Sequence, residues 1–390
     1  MTRFLPALLL LSVACKDGGD TDEPAETCDP GDICLWYGTP EIAGLAEEGT
    51  HRLEASTFWV TDVEFHPTEG WPIILDWNNH RLITLDADDK VVTLSGIGGQ
   101  LGDGPEGDAS VAEWNHPTDV AWLPDGSVVL AAWHNSRIVE FDPDFNTVEF
   151  IAGTGGRDFA GDGGPATDAV LDLPCGIRAG ADGTIYFADM ANQRIRAITP
   201  DGIIDTVAGN GEHGFNGDGA LLETSFASPA LQRAEPAFKF DIFDGDLYIA
   251  DTHNGRVRVL DFDAGTITTI AGKGETPVAS DNGTVCTTGC GYGGDGGPAT
   301  DALLHTPSDV AVGPNGEVYI ADTDNSCIRV VKDGIIETFA GICGERGYSG
   351  EYGPANEATL NRPFGVSVDP DGKVYISDTY NSVIRVVTPE

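Results

Sequence analysis

The sequence predicts an all-β fold: a six-bladed β-propeller of four-stranded antiparallel blades, with its ring closed by an N-terminal strand. Three observations predict it. A D-x-x-N motif recurs along the chain, each copy lies in a unit that reads as four short strands, and the last unit lacks its fourth strand. Such repetition overrides the two or three domains that 390 residues would otherwise suggest.

The D-x-x-N motif marks one tight turn in each unit and is followed by an aliphatic residue. Asp and Asn favour such turns because their side chains bond to nearby backbone. Most neighbouring motifs lie about 56 residues apart, and Ala132 replaces the aspartate in the second one. The six asparagines are Asn79, Asn135, Asn192, Asn254, Asn325 and Asn381.

One unit, residues 307–341, shows the four strands clearly. They are predicted at Val310–Val312, Val318–Ala321, Ile328–Val331 and Ile335–Ala340, with Gly, Pro, Asn or Asp at each turn between them. Second strands such as Ile185–Ala188 are apolar without alternation. This pattern is typical of a sheet covered on both faces, as in a ring of blades.

The two ends of the chain predict how the ring closes. The last unit stops at its third strand, Val383–Val387. The stretch from Ile33 to Gly44 ends in TPEIAG, which resembles the strand-four endings TVAG, TIAG and TFAG. We therefore expect an N-terminal strand to complete the last blade and remove its exposed edge.

The repeats also resemble a known family. VYIADTDNSCIRVV and VYISDTYNSVIRVV resemble NHL repeats, and the linkers GDGGPATDA at 161–169 and 294–302 are similar to those of bacterial NHL propellers. The resemblance covers residues 33–390 and implies the propeller fold. It does not imply one activity, because this architecture hosts lyases, lactonases, receptors and binding modules.

The N-terminal residues predict export and anchoring. Residues 1–14 have one charge, Arg3, and a short apolar run, as in a lipoprotein signal peptide. Cys15 follows in a junction that resembles the bacterial lipobox, and an ordinary signal ending near a cysteine is the alternative. Residues 15–32 are predicted to be a flexible acidic tether. Lys16 after the cysteine favours the outer membrane of a Gram-negative bacterium, with attachment through the lipid anchor only.

Charge and cysteine content narrow the function further. A net charge of -42 repels nucleic acid, so DNA and RNA are excluded as partners. We also expect the protein to be a monomer. Eight cysteines in an exported chain suggest disulfides. With Cys15 lipidated, the candidate pairs are local and leave Cys175 free; they are Cys28 with Cys34, Cys286 with Cys290, and Cys327 with Cys343.

Positions at the start of each inner strand are predicted to face the central channel. Counting along the repeats places there Asp62, Asp119, Gly176, Phe238, Asp309 and Gly365. Three carboxylates around one axis would repel unless a cation lay among them, and hard oxygen ligands suit Ca²⁺. The alternative is that each aspartate caps its own loop.

Two histidines precede the same positions, His116 and His305. The resemblance to peptidyl-amidoglycolate lyases, in which channel histidines hold zinc, implies a partial Zn²⁺ set; surface histidines are the alternative. Arg178 and Arg362 are added as candidate residues of the channel mouth.

Two insertions, 224–240 and 273–293, lengthen one face of the ring and predict binding loops there. The linkers lack the Lys-Ser/Thr pair of a phosphate loop, and the strand-three arginines recur as a structural feature would. No complete catalytic set is present. The sequence thus favours a binding propeller for a protein, glycan or small-molecule ligand, with a metal-dependent lyase or lactonase as the alternative.

Overall fold

The structure is a computed structural model that describes residues 28–229, 235–274, 278–280, 283–285 and 291–389. The predicted signal peptide, Cys15, Cys286 and Cys290 lie outside the described residues. Within the described ranges, the chain contains no helix with the length and hydropathy needed to cross a membrane.

The strands form six antiparallel sheets, each a blade built outward from an inner strand. The first strand is β1 (Asp32–Tyr37), and blade one contains β2 (Val60–Phe65), β3 (Pro72–Asp76), β4 (Arg81–Leu85) and β5 (Val91–Ser95). Blade two contains β6 (Gly107–Asp108), β7 (Pro117–Trp122), β8 (Val128–Ala132), β9 (Arg137–Phe141) and β10 (Thr147–Ala152). Blade three contains β11 (Gly164–Pro165), β12 (Pro174–Ala179), β13 (Ile185–Asp189), β14 (Arg194–Ile198) and β15 (Ile203–Ala208).

The second half of the ring repeats this order. Blade four contains β16 (Gly219–Ala220), β17 (Phe240–Phe243), β18 (Asp246–Asp251), β19 (Arg256–Asp261) and β20 (Thr266–Ala271), and a separate hairpin, β21 (Val278–Ser280) and β22 (Gly283–Val285), follows it. Blade five contains β23 (Gly297–Pro298), β24 (Pro307–Val312), β25 (Val318–Asp322), β26 (Cys327–Lys332) and β27 (Ile335–Ala340). Blade six contains β28 (Gly353–Pro354), β29 (Gly365–Val368), β30 (Val374–Asp378) and β31 (Val383–Val387), together with β1.

Short 3₁₀ turns recur in two equivalent places of the repeat. Those after the second strand are Trp77–Asn79, Met190–Asn192, Thr252–Asn254, Thr323–Asn325 and Thr379–Asn381. Those within the linkers are Ala109–Val111, Ala166–Asp168, Leu221–Glu223, Ala299–Asp301 and Ala355–Glu357.

The blades close into a ring, as the sequence predicted. The inner strands β2, β7, β12, β17, β24 and β29 contact one another in turn, and β29 contacts β2. Second strands such as β8 and β25 are buried along their whole length, because each blade is covered by two neighbours. The second strands pack in the hydrophobic core together with residues of the other strands and of the linkers.

The N-terminal strand closes the last blade, but it lies earlier in the sequence than TPEIAG suggested. Cys34 pairs with Val386 and Tyr37 with Ile384, so β1 is the missing outer strand. Gly38, at φ +98°, then takes the place of the glycine that ends every strand four; a Cβ there would lie 2.7 Å from the Ser382 carbonyl oxygen.

The linkers add a fifth, two-residue strand to the outer edge of five blades. In blade three, Gly164 pairs with Ile204 at the start of strand four. The GDGGPATDA linkers therefore form a short strand and a 3₁₀ turn rather than a phosphate loop.

The D-x-x-N motif organises the end of each blade that carries the linkers. In blade three the Asp189 carboxylate accepts the backbone N–H of Asp172, just before strand one, and the side chain of Asn192. Asn192 also donates to the Asp158 carbonyl oxygen of the linker. The motif thus ties three loops together. Where Ala132 removes the carboxylate, the amide oxygen of Asn135 accepts the Asn115 N–H instead.

The recurring strand-three arginines have the structural role expected of them. Arg196 is fully buried and bridges Asp189 at 3.1 Å and the linker residue Asp162 at 2.7 Å. Its guanidinium also lies 5.0 Å from the ring centre of Phe159. The same arrangement holds the linkers of the next three blades through Arg258, Arg329 and Arg385.

Two of the predicted disulfides are confirmed. Cys28 is bonded to Cys34 at the start of β1, and Cys327 to Cys343 at the outer edge of blade five. Cys175 is free and buried, as expected from the pairing.

Candidate functional site

The central channel is lined by equivalent positions of the six inner strands. The first layer consists of Asp62, Asp119, Gly176, Lys239, Asp309 and Gly365, each located by its pairing with the second strand. The second layer, two residues further along, consists of Glu64, Ala121, Arg178, Asp241, Ala311 and Ser367. Five carboxylates therefore face two cationic groups.

Lys239 corrects the sequence prediction, which placed Phe238 at this position. Blade four turns from strand one to strand two through Asp244-Gly245, both with positive φ, and this turn is one residue shorter than its equivalent in blade five. Counting back from the D-x-x-N motif therefore missed by one residue. The sequence prediction therefore did not include the buried ammonium of Lys239.

The Lys239 ammonium crosses the channel. It lies 2.5 Å from Asp62 Oδ2 and 3.6 Å from Asp309 Oδ2, and it donates to the Thr61 carbonyl oxygen at 3.2 Å. Burial lowers the pKa of Lys239, but the opposing charges of Asp62 and Asp309 raise it above its usual range. Lys239 is therefore charged and joins three blades.

Arg178 has the same role in the second layer. Its guanidinium lies 2.6 Å from Glu64, 3.0 Å from Asp119 and 3.2 Å from Asp241. Only the Glu64 and Asp241 side chains are partly exposed, toward the face opposite the linkers. On that face an open depression of about 300 Å³ begins at Glu64.

The three aspartates of the predicted metal site are already hydrogen-bonded. Asp119 accepts the N–H groups of Val120 and, in the next blade, Ile177; Asp309 does the same with Val310 and Val366. Each aspartate thus accepts the N–H of the next residue of its own strand, and Asp119 and Asp309 also fasten the following blade.

Lys239 and Arg178 supply the positive charge where the sequence suggested Ca²⁺. Asp62, Glu64 and Asp119 bring one oxygen each within 4.8 Å of one another, but Arg178 contacts two of these three carboxylates there. An ion bound there would have to displace the contacts of Lys239 and Arg178 with these carboxylates.

Protonation removes part of the negative charge in the channel. Burial raises the pKa of Asp62 to about 6 and that of Asp309 to about 8, and it raises the pKa of Glu64 well above its usual range. Neighbouring carboxylates add to the effect of burial, while Lys239 and Arg178 oppose it. The channel is thus a charged plug that holds the blades together.

A cleft lies at the other mouth of the channel, on the face that carries the linkers and insertions. It has a volume of about 50 Å³. The residues that line it come from blades one, four and six and are Trp59, Thr61, Trp77, Glu235, Pro236, Phe364, Thr379 and Tyr380. We call this the mouth cleft.

Stacked aromatic rings form one wall of the mouth cleft. Tyr380 and Trp59 have ring centres 4.8 Å apart and an interplanar angle of 23°. Trp77 continues the stack at 5.9 Å on one side, and Phe364 at 6.2 Å on the other. Trp59 and Tyr380 are half-buried and thus present ring surface to solvent.

Two polar groups at the mouth cleft have no hydrogen-bond partner among the described residues. They are the hydroxyl of Thr61 and the indole N–H of Trp77, and both atoms are buried. The equivalent hydroxyls of Thr118 and Ser308 are hydrogen-bonded to backbone. Because a buried unsatisfied polar group costs about 1–3 kcal/mol, a ligand that supplies partners here would gain affinity.

Arg362, a predicted mouth residue, spans the rim of the cleft. It lies 3.0 Å from Glu235 of blade four and 2.9 Å from Asp324 of blade five, and it donates to the Tyr380 hydroxyl at 2.9 Å. Its guanidinium lies 5.0 Å from the ring centre of Tyr380. Arg178, predicted with it, belongs instead to the channel plug.

The predicted histidine pair does not come together. His305 faces Asp324 in blade five, 3.9 Å away, whereas His116 of blade two has His134 as its neighbour. Burial, with smaller contributions from neighbouring charges, lowers the pKa of His116 to about 3 and that of His134 to about 4. Both rings are therefore neutral at neutral pH. His134, which the sequence did not predict as a site residue, lies in the turn between β8 and β9.

Comparison with known proteins agrees with this architecture. The profile of the teneurin NHL domain matches residues 142–220 and 221–332, and that of the NHL repeat matches residues 360–387. The chain is therefore an NHL-repeat β-propeller.

Among its relatives, Teneurin-m of Drosophila melanogaster is 32% identical over 271 residues, which are 63% of this chain and 9% of that protein. SUPPRESSOR OF QUENCHING 1, chloroplastic, of Arabidopsis thaliana is 28% identical over 288 residues, 72% of this chain and 26% of that protein. The match thus spans a small part of each relative.

Solved structures share the fold at low sequence identity. An auxiliary nutrient binding protein from Bacteroides thetaiotaomicron superposes with a TM-score of 0.62 at 15% identity, over 91% of this chain and 75% of the other. A protein of the same description from Bacteroides ovatus gives 0.58, also at 15% identity, over 91% and 78%.

Proposed function

We propose that the chain is a binding propeller of the cell envelope, and that it holds a glycan in the mouth cleft. The observation that carries the proposal is the combination of the Trp59–Tyr380 stack with the two unpartnered groups, the Thr61 hydroxyl and the Trp77 indole N–H.

The chemistry of the cleft favours a sugar. A pyranose ring has an apolar face of C–H groups and an edge of hydroxyls that both donate and accept hydrogen bonds. The partly exposed rings of Trp59 and Tyr380, whose edges border the cleft, can pack against the C–H groups. The Thr61 hydroxyl and the Trp77 indole N–H can form hydrogen bonds with the hydroxyls of the sugar. Arg362 and Glu235 on the rim of the cleft provide further hydrogen-bonding groups.

A binding role agrees with the description of the Bacteroides thetaiotaomicron propeller of this fold as an auxiliary nutrient binding protein. The metal-dependent lyase or lactonase suggested by the sequence has no comparable support, because the channel carboxylates contact Lys239 and Arg178. Envelope display rests on Cys15 and its lipobox-like junction.

The test is calorimetric titration of the purified chain with a panel of soluble oligosaccharides. We expect at least one to bind, and Trp59→Ala and Tyr380→Ala to weaken that binding tenfold or more. Tyr352→Ala removes an aromatic ring that is 44% exposed on the outer edge of blade six and is the matched control. Equal affinity in all variants would place the site elsewhere. Binding of peptides but not sugars would keep the cleft and change the ligand class.

A further inference from the structure

A group of potential metal ligands lies in blade two, beside the mouth cleft. Asn115 and His116 belong to the loop that leads into β7, and His134 is the second residue after the end of β8. The two loops bring the three side chains together although neither is part of the channel plug. Trp77, which lines the mouth cleft, lies 4.5 Å from His116 between ring centres.

Three atoms of these side chains form a compact triangle. His116 Nδ1 lies 3.1 Å from His134 Nδ1 and 2.7 Å from Asn115 Oδ1, and the third side, from His134 Nδ1 to Asn115 Oδ1, is 3.3 Å. Each edge has the length of a hydrogen bond.

Hydrogen bonds can satisfy at most two of the three edges. The amide oxygen of Asn115 only accepts, so both imidazoles would have to carry a proton on Nδ1 to bond with it. Two Nδ1–H groups would then face each other across the remaining edge. A cation in contact with all three atoms would instead accept a lone pair from each of them, His116 Nδ1, His134 Nδ1 and Asn115 Oδ1.

We propose that His116, His134 and Asn115 bind one divalent late first-row transition-metal ion, such as Zn²⁺ or Cu²⁺. Zn–N bonds are about 2.0–2.1 Å long, which places tetrahedral ligand atoms about 3.3 Å apart. The two edges that meet at His134 are 3.1 and 3.3 Å long, and the His116–Asn115 edge, at 2.7 Å, would open by about 0.6 Å on binding. Imidazole suits Zn²⁺ and Cu²⁺ but not Ca²⁺, which prefers an all-oxygen shell.

The surroundings hold the imidazoles in the orientation that ligation through Nδ1 requires. His116 Nε2 lies 3.1 Å from Asn78 Oδ1, so its N–H can donate to a carbonyl oxygen, as metal-binding histidines commonly do. Trp133 stacks on His134 with ring centres 4.1 Å apart. The ring of His80 packs edge-on against His116 and its Nδ1 accepts the His116 backbone N–H.

The two nearby indoles provide the readout. We expect the chelator-treated chain to bind one Zn²⁺ in calorimetric titration, and Cu²⁺ to compete with it and to quench tryptophan fluorescence. The affinity for Zn²⁺ should fall about ten- to a hundredfold in His134→Ala and in Asn115→Ala. His305→Ala, which removes a half-buried histidine of blade five, should leave affinity and quenching unchanged.

The absence of one-to-one binding, or equal affinities in the parent and His134→Ala, would overturn the proposal and assign any bound ion to the acidic surface. Thermal melts without metal show whether each variant folds. If His134→Ala does not fold, His134→Gln, which keeps a polar side chain of similar reach, replaces it in the same comparison.

Discussion

Replacing Lys239 by methionine tests whether the channel plug holds the blades together. Methionine keeps a long unbranched side chain and removes the ammonium. Asp62, whose side chain is 1% exposed, would then be left without its cation beside Asp309, which is 0% exposed.

The size of the effect follows from the proton that must replace the ammonium. Keeping one carboxyl of ordinary pKa near 4 protonated in the folded state at pH 7 costs about 1.4 kcal/mol per pH unit, or about 4 kcal/mol. This agrees with the loss of about 3–5 kcal/mol when one partner of a buried ion pair is removed. At pH 5 the same proton costs about 1.5 kcal/mol, so the destabilisation should shrink by more than half.

Urea unfolding of the parent and Lys239→Met at pH 7 and pH 5 measures both numbers. Lys332→Met is the control, because the Lys332 side chain is 70% exposed and lies 3.6 Å from Glu317. We expect less than about 1 kcal/mol from this surface pair. A Lys239→Met protein as stable as the parent at pH 7, or equally destabilised at both pH values, would refute the reasoning.

Four other outcomes are expected. Burial raises the pKa of Asp309 to about 8, so its contribution to stability is present at low pH and is lost as the pH rises through 8. The free energy of unfolding should therefore fall by about 1–2 kcal/mol between about pH 6.5 and 8, where histidines are largely neutral. Asp309→Asn should flatten this slope. Deleting residues through Tyr37 removes β1 and exposes β31, so melting should occur at a lower temperature with aggregation by light scattering, and an unchanged melting temperature would contradict ring closure. Cys15→Ala should move the protein from the detergent phase to the aqueous phase, and equal partitioning would disprove the lipid anchor. Calcium or a chelator should shift the melting temperatures of the parent and Asp119→Asn equally; a shift confined to the parent would restore a metal site in the channel.

The blades were predictable because their signal is local and repeated. The D-x-x-N motif encodes a tight turn and its hydrogen bonds, and the apolar second strand encodes burial on both faces. Which residue of each inner strand lines the first layer of the channel was less predictable, because it depends on the length of the turn between strands one and two. A single shorter turn, Asp244-Gly245, moved the prediction from Lys239 to Phe238.

The mouth cleft could not be predicted from the sequence, for a different reason. Trp59, Tyr380 and Glu235 come from three blades and occupy different positions of the repeat, so no alignment of repeats brings them together. The pair His116–His134 was missed similarly, because one residue precedes strand one and the other follows strand two. Only the antiparallel pairing of those strands makes them neighbours.

The way the ring closes also has a consequence for how the protein is made. Leu35 pairs with Arg385, so β1 receives its permanent partner only after all the intervening blades have been synthesised. Blades one to five can assemble from neighbouring segments, whereas the final seam must bring together two distant strands against the entropy of a very long loop. Completion of this seam is therefore expected to be the slow step of folding. Until it forms, β1 and β31 are two unpaired edges on which a chaperone or a second nascent chain can act.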